Sequence, residues 1–256
     1  MATVITSEHG FYNALTLHRP EKRNALNDEL IADLKEALGE ADQNEELRAI
    51  IIRGSGPDFC SGADLEALQK IATASYEENL ADAQNLADLF TLIRKVRIPV
   101  IAAVHGRALA GGAGLATACD LVIATETARF GYPEVKIGFV PAIVTAFLRR
   151  NVSEKRAFEL VTQGFEFTAQ QAHEFGLVNK IVSDEKFDEE IFEYISVYEK
   201  VSRSAVMLSK ELLYRTDGLN FDAAIKAGVE ANAKARMTDD CKEGLAKFLK
   251  RQFKPQ

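Results

Sequence analysis

The strongest constraint on this chain is the alternation of short apolar runs with amphipathic stretches through its first half. Residues 4–6 and 14–17 have the length and composition of short strands. From about Asn27 the period changes, and Leu30, Ile31, Leu34 and Leu38 recur at the spacing that lines one face of a helix. The run 49–52 is wholly apolar and stops at Gly54-Ser55-Gly56-Pro57, a clear break. Residues 76–94 return to helical spacing, with Leu86, Phe90 and Ile93 facing inward. Pro99 then opens an apolar strand over 100–104, and 120–124 reads as another. Strands alternating with helices predict a parallel or mixed sheet under helical cover, an α/β fold. Beyond about Ala142 the pattern is almost wholly helical, with Phe221, Ala224, Ile225 and Val229 marking one amphipathic helix and residues 243–251 another. No low-complexity linker or repeat separates the two parts, and 256 residues suit one large domain or a domain with a small appendage.

Composition enters as a filter on function. Lys and Arg total 31 against 38 for Asp and Glu, a net charge of −7. That balance argues against a nucleic-acid partner, because such affinity rests on neutralising phosphates. Any polyanionic ligand must be held by a local basic patch. The three cysteines, Cys60, Cys119 and Cys241, are odd in number and far apart, so neither a disulfide framework nor a metal spacing is readable. His9, His18, His105 and His173 include no HxxxH pair, and no metal is expected. The start MATVITSEHG lacks the basic end and apolar core of a secretory signal, and the run 100–104 is far short of a membrane span. A cytoplasmic protein with no membrane partner is the expectation.

Three segments ask for more than a packing explanation: Phe59-Cys60-Ser61-Gly62-Ala63-Asp64-Leu65, then residues 108–115 (ALAGGAGL), then residues 130–138 (FGYPEVKIG). A small-residue turn that leads into a helix exposes backbone N–H groups with no intrahelical partner. Those donors and the helix dipole suit an anion, or a carbonyl that becomes anionic. The same glycines would equally serve tight packing of a helix on a sheet. The run is neither GxGxxG after the first strand nor a GK[ST] loop, so dinucleotide and nucleoside-triphosphate readings are weak.

Taken together, these segments resemble the crotonase (enoyl-CoA hydratase/isomerase) superfamily along nearly the whole chain. The likeness begins at His18-Arg19-Pro20-Glu21-Lys22-Arg23-Asn24-Ala25-Leu26. It includes CSGADL at 60–65, IPVIAAVHGRALAGGAGLATACDLVIA at 98–124 and ARFGYPEVKIG at 128–138, and ends with DDCKEGLAKFLKR at 239–251. The resemblance implies a spiral of β-β-α turns over residues 1–200 and a helical trimerisation region over 201–256. It also implies a homotrimer, or a hexamer of two trimers. The substrate would be an acyl-CoA thioester, with no cofactor beyond the coenzyme A that the substrate carries.

The resemblance also implies roles for particular residues. The amides of Ala63 and Gly111 would hold the thioester oxygen as it becomes anionic. Glu134 matches the glutamate of the PE motif, whereas Gly114 stands where typical hydratases carry a first glutamate. That departure leaves hydration and Δ3,Δ2-isomerisation both open to Glu134, and a non-catalytic acyl-CoA-binding protein as a third reading. Tyr132 is a candidate helper, with an ordinary packing role as the alternative. The combination of GGAGL with VPAIV at 140–144 resembles a branch that includes methylglutaconyl-type hydratases, whose distal carboxylate Arg149 or Arg150 could pair with. Lys22 and Arg23, with Arg19, match phosphate-contacting positions. Ser61, Asp64 and Leu65 match the adenine cradle. Phe248 and Arg251 match positions that reach the nucleotide, sometimes from a neighbouring subunit. His105 and Cys60 have no catalytic counterpart in that pattern.

Overall fold

Parallel strands can be buried on both faces only if helices cover both, and the computed structural model shows this arrangement for residues 2–252, leaving aside the side chains of Leu65, Arg251 and Gln252. A hairpin of β1 (Val4–Glu8) and β2 (Tyr12–Leu17) opens the chain, with Val4 opposite Leu17. After α1 (Asp28–Gln43), strand β3 (Ala49–Gly54) pairs parallel with β2. Helices α2 (Leu65–Thr73) and α3 (Tyr76–Lys95) lead to β4 (Val100–Val104). Then come β5 (Arg107–Leu109), α4 (Gly111–Ala118), β6 (Leu121–Thr125) and β7 (Arg129–Gly131). Helices α5 (Ala142–Asn151) and α6 (Glu154–Gln163) precede β8 (Glu166–Thr168), α7 (Ala169–Phe175) and β9 (Lys180–Val182). The chain closes with α8 (Phe187–Ile195), α9 (Val197–Lys200), α10 (Arg203–Arg215), α11 (Phe221–Met237) and α12 (Asp239–Gln252).

The strands form a six-stranded sheet in the order β1-β2-β3-β4-β6-β9 and a three-stranded sheet in the order β5-β7-β8. Successive turns of chain give one strand to each: β4, β5 and α4 make one turn, and β6, β7 and α5 the next. This is the expected spiral of β-β-α turns. Strands β5, β7, β8 and β9 were not among the sequence expectations, and residues 142–182 are less purely helical than their pattern suggests. Strands of three residues are too short for a period to register.

Alternation along the large sheet divides the core. Leu15, Leu17, Ile50, Ile52, Val100 and Ala102 face one side, with α1, α3 and α4 packed on them. Ala14, Ala49, Ile51, Ile101 and Ala103 face the other, covered by Phe187, Ile191 and Ile195 of α8. The first helix begins where expected, with the Asn27 side chain accepting from the Leu30 amide.

The C-terminal helices are fastened by one buried ion pair. Lys210 Nζ on α10 donates to Asp120 Oδ2 (2.6 Å) and to the Ile93 and Ile98 carbonyls (3.0 Å each). Tyr214 donates to the other Asp120 oxygen at 2.6 Å. The stripe Phe221, Ile225 and Val229 on α11 does not face this core; all three are exposed. Among the described residues no helix is long and apolar enough to cross a membrane, and no cluster of His, Cys, Asp or Glu is placed to hold a metal.

Candidate active site

The segment before α2 is threaded between two neighbours. On one side Cys60 donates to the Arg107 carbonyl and accepts from Leu109, both at 3.0 Å, which zips residues 59–61 alongside β5. On the other, Leu26 donates to Gly62 (2.7 Å) and accepts from Asp64 (2.9 Å). Ala63 is fixed between these bonds, and its own amide donates to no group among the described residues. The start of α4 lies against the same segment. A methyl group on Gly62 would fall 3.6 Å from the Gly111 nitrogen, and one on Gly112 would collide with the Cys60 carbonyl oxygen. Only glycine permits that approach. Intrahelical bonding in α4 begins with Gly114 donating to Ala110 (2.9 Å), so the Gly111 amide at the helix start is also undonated.

Glu134 follows a strand that is tied to the start of α4. Ala110 donates to the Gly131 carbonyl (2.8 Å), which pins the end of β7 to the turn that opens α4. Three residues on, Glu134 sits in the short helical turn Pro133–Ile137. Its Oε2 is buried with no hydrogen-bond partner among the described residues. Burial raises its pKa above the ordinary carboxylate range, against a weaker opposing bond from its own amide. A desolvated carboxylate oxygen without a partner is suited to move a proton, and undonated amides are suited to hold a developing oxyanion.

The basic cluster borders the same segment. Ser61 donates its amide to the Arg23 carbonyl at 3.0 Å, so the turn Pro20–Lys22 and Arg23 abut residues 61–66. Arg23 is exposed, 3.8 Å from Asp58, and Lys22 lies 3.5 Å from Glu66.

The sequence profile described as enoyl-CoA hydratase/isomerase matches residues 12–256. The chain belongs to the enoyl-CoA hydratase/isomerase family. It is 38% identical over 249 residues to a Thermus thermophilus protein named "Putative enoyl-CoA hydratase", covering 97% of this chain and 98% of that one. The structure superposes on the crystal structure of an enoyl-CoA hydratase from Mycobacterium smegmatis with a TM-score of 0.93, at 33% identity and with 97% and 96% of the two chains covered. Human enoyl-coenzyme A hydratase domain-containing protein 3 gives 0.91 at 27% identity, with 99% of each chain covered. The fold is the crotonase fold.

Against that family pattern the remaining residues fall into three groups. Asp64 is turned inward: its carboxylate caps α2 at the Glu66 amide (3.0 Å) and pairs with Arg19 at 2.6 Å. Burial alone would raise its pKa, but the Arg19 bond and the cap hold it below the usual range. Tyr132 is also inward, only 1% exposed. Thr117 spends its proton on the Ala113 carbonyl (2.7 Å), so the Tyr132 hydroxyl donates to Thr117 at 2.7 Å and fastens residue 132 to α4. Phe248 stands exposed on α12. The side chains of Leu65 and Arg251 lie outside the described ones.

Gly114 is enclosed. A methyl group there would lie 2.9 Å from Phe90 Cε2, 3.0 Å from Phe90 Cζ and 3.5 Å from Val144 Cβ. Arg150 is engaged by Asp217 at 2.6 Å, while Arg149 is exposed. His105 bonds the Gly56 carbonyl (2.9 Å) and lines a groove of about 510 Å³ with Arg53, Thr125 and Asp184 on the second face of the large sheet, to which Glu134 does not contribute. Sequence reasoning missed Asn24, which is fully buried and donates to the Ser55 and Asp58 carbonyls at 2.8 Å each. It holds the 55–58 turn in place for the site segment. Its left-handed φ of +54° leaves no trace in the sequence beyond the residue type.

Proposed function

We propose that the chain is an enoyl-CoA hydratase that adds water across the 2,3 double bond of an acyl-CoA thioester, with Glu134 as acid and base. The observation that carries this reading is the half-buried Glu134 side chain: one carboxylate oxygen enclosed without a partner, made more basic by desolvation, and tethered to the helix whose first amide is undonated. Water gives a proton to Glu134 as its oxygen bonds C3. The C2=C3 electron pair shifts to form an enolate whose charge rests on the thioester oxygen. The Ala63 and Gly111 amides receive that charge, and each such preorganised donor is typically worth about 3 kcal/mol. The enolate then collapses and C2 takes the proton back from Glu134. Every proton is accounted for with one carboxylate.

The enclosure of Gly114 favours a second reading, the Δ3,Δ2-isomerase, because one carboxylate that takes a proton from C2 and returns it at C4 needs no water. On either reading Lys22 and Arg23 face the phosphates, the backbone at 61–65 meets the adenine, and Phe248 and Arg251 act from a neighbouring copy in a trimer or hexamer. Support for assembly comes from Phe221, Val229, Met237 and Phe248, all exposed on α11 and α12. A branched glutaconyl substrate would place its distal carboxylate on Arg149, since Arg150 is committed to Asp217. The deciding experiment presents purified protein with straight, branched and glutaconyl 2-enoyl-CoAs and with 3-enoyl-CoAs. Hydration of any 2-enoyl member supports the first reading. Turnover of 3-enoyl-CoA alone assigns the isomerase, and binding without turnover assigns a non-catalytic acyl-CoA-binding protein.

A further inference from the structure

Phe90 sits on α3, 1% exposed, with its ring edge packed on the backbone of Gly114. The ring is held from behind: Phe147 of α5 meets it in a T-shaped pair at 5.8 Å, and the Arg94 guanidinium covers Phe147 at 4.8 Å. Arg94 in turn is fixed by Asp217 at 2.8 Å and stacks on Tyr214 at 4.5 Å. The ring is therefore backed by Phe147 of α5, which Arg94 covers in turn. Val144 closes the other side. The atoms nearest a methyl group at the fourth residue of α4 are all carbon, from Phe90 and Val144.

We propose that Phe90 is the specificity-determining residue of this site: by filling the space that any side chain at position 114 would need, it restricts the site to a single carboxylate and leaves proton transfer to Glu134 alone. The inference rests on the acyl-CoA reading above and deepens it. It treats Phe90 and Gly114 as one unit, in which neither residue can change productively without the other.

Two measurements test the unit, and they fail separately. The first is thermal unfolding of Gly114→Ala, Phe90→Ala and the double variant. An added methyl meets ring carbons at 2.9 and 3.0 Å, so Gly114→Ala alone should lower the Tm by roughly 3–10 °C. In the Phe90→Ala background the same methyl enters vacated space and should cost nothing further or raise the Tm. Shifts that simply add would overturn the packing claim. The second measurement compares the penalty of Glu134→Gln in the wild type with that in Phe90→Ala/Gly114→Glu. In the wild type the loss should be about 100-fold or more. With Phe90 gone a second carboxylate is accommodated, and the Glu134→Gln penalty on 2-enoyl-CoA hydration should shrink at least tenfold. An unchanged penalty in a folded double variant would overturn the role assigned to Phe90. If the wild type hydrates no 2-enoyl-CoA, it is the hydratase reading that falls, while the unfolding data still decide whether Phe90 and Gly114 are coupled.

Discussion

Gly62→Ala is the sharpest perturbation of the proposed oxyanion site, because its consequences follow from distances. Gly62 has φ of +101°, a region L side chains rarely adopt, and a methyl there would lie 2.8 Å from the Ala110 Cβ and 3.1 Å from the Leu109 carbonyl oxygen. To reach an ordinary contact the Cβ–Cβ gap must open from 2.8 to at least 3.4 Å. Ala110 is bonded directly to Gly111, so the opening moves one amide away from the other. Oxyanion donors act at about 2.7–3.1 Å, and a displacement of that size removes one from range, for a loss of about 100-fold in kcat, or near 3 kcal/mol. Dihedral strain adds about 1–3 kcal/mol against folding, which lowers the Tm by roughly 3–10 °C in a chain of this size. The control is Gly10→Ala in the β1–β2 turn, where φ is +72° and nothing lies within 4 Å of the added methyl. It should lose stability and keep its rate. Steady-state kinetics on enoyl-CoA with calorimetry on both variants separates the effects. If Gly62→Ala keeps the kcat of Gly10→Ala, the two amides do not act as the pair described.

Glu134→Gln should cut turnover about 100-fold and erase the acidic limb of the rate profile. With the folded pKa raised, that limb lies above the ordinary carboxylate range, and activity rises with pH as the base deprotonates. Stability runs the other way: the neutral acid favours folding below the unfolded pKa, and that contribution is lost as pH rises through the folded one. The Tm advantage of Glu134→Gln should therefore grow with pH, and a constant difference across the titration would contradict the burial argument. Lys210→Met removes the cation from Asp120 and should cost about 3 kcal/mol, while Lys210→Met/Asp120→Asn recovers much of it; equal Tm values for the two would refute the staple. Lys22→Ala/Arg23→Ala should raise KM for acyl-CoA with kcat retained, and leave an N-acetylcysteamine thioester, which has no phosphates, untouched. A matching KM rise on both thioesters would place the patch elsewhere.

What could be read in the sequence depended on length and on which atoms do the chemistry. Helix α1 shows its buried face over sixteen residues, and β3 and β4 are apolar enough to announce themselves, whereas β5, β7, β8 and β9 span three residues each and carry no usable period. The stripe on α11 was legible as amphipathic but not as outward-facing, because periodicity finds an apolar face without saying what covers it. Lys210 reads as a surface charge, since lysine almost never lies fully buried unpaired; its partner Asp120 is ninety residues away in sequence. At the site, the glycine run and the PE glutamate were legible through resemblance. The enclosure of position 114 was not, because it depends on a phenylalanine from a different helix.

The two segments that bound the site also concentrate the backbone strain. Among the described residues, the non-glycine positions with positive φ are Arg23, Asn24 and Ala110. Arg23 and Asn24 sit in the turn beside Ser61, and Ala110, at φ +49° and ψ −122°, immediately precedes Gly111. Such conformations cost about 1–3 kcal/mol each and persist only where neighbours over-determine them. Here the neighbours are identifiable: the Asn24 amide on two carbonyls, the Gly131 carbonyl on Ala110, and the Cys60 backbone packed on Gly112. A relaxed Ala110 would turn the first amide of α4 away from Ala63. On the proposed oxyanion reading, the strain is the means by which main-chain groups, which have no rotamers to adjust, are held aimed before a substrate arrives. On the same proposal the small residues at Ala63 and Gly111 fit, since a donor made of backbone leaves its side chain nothing to do but stay out of the way.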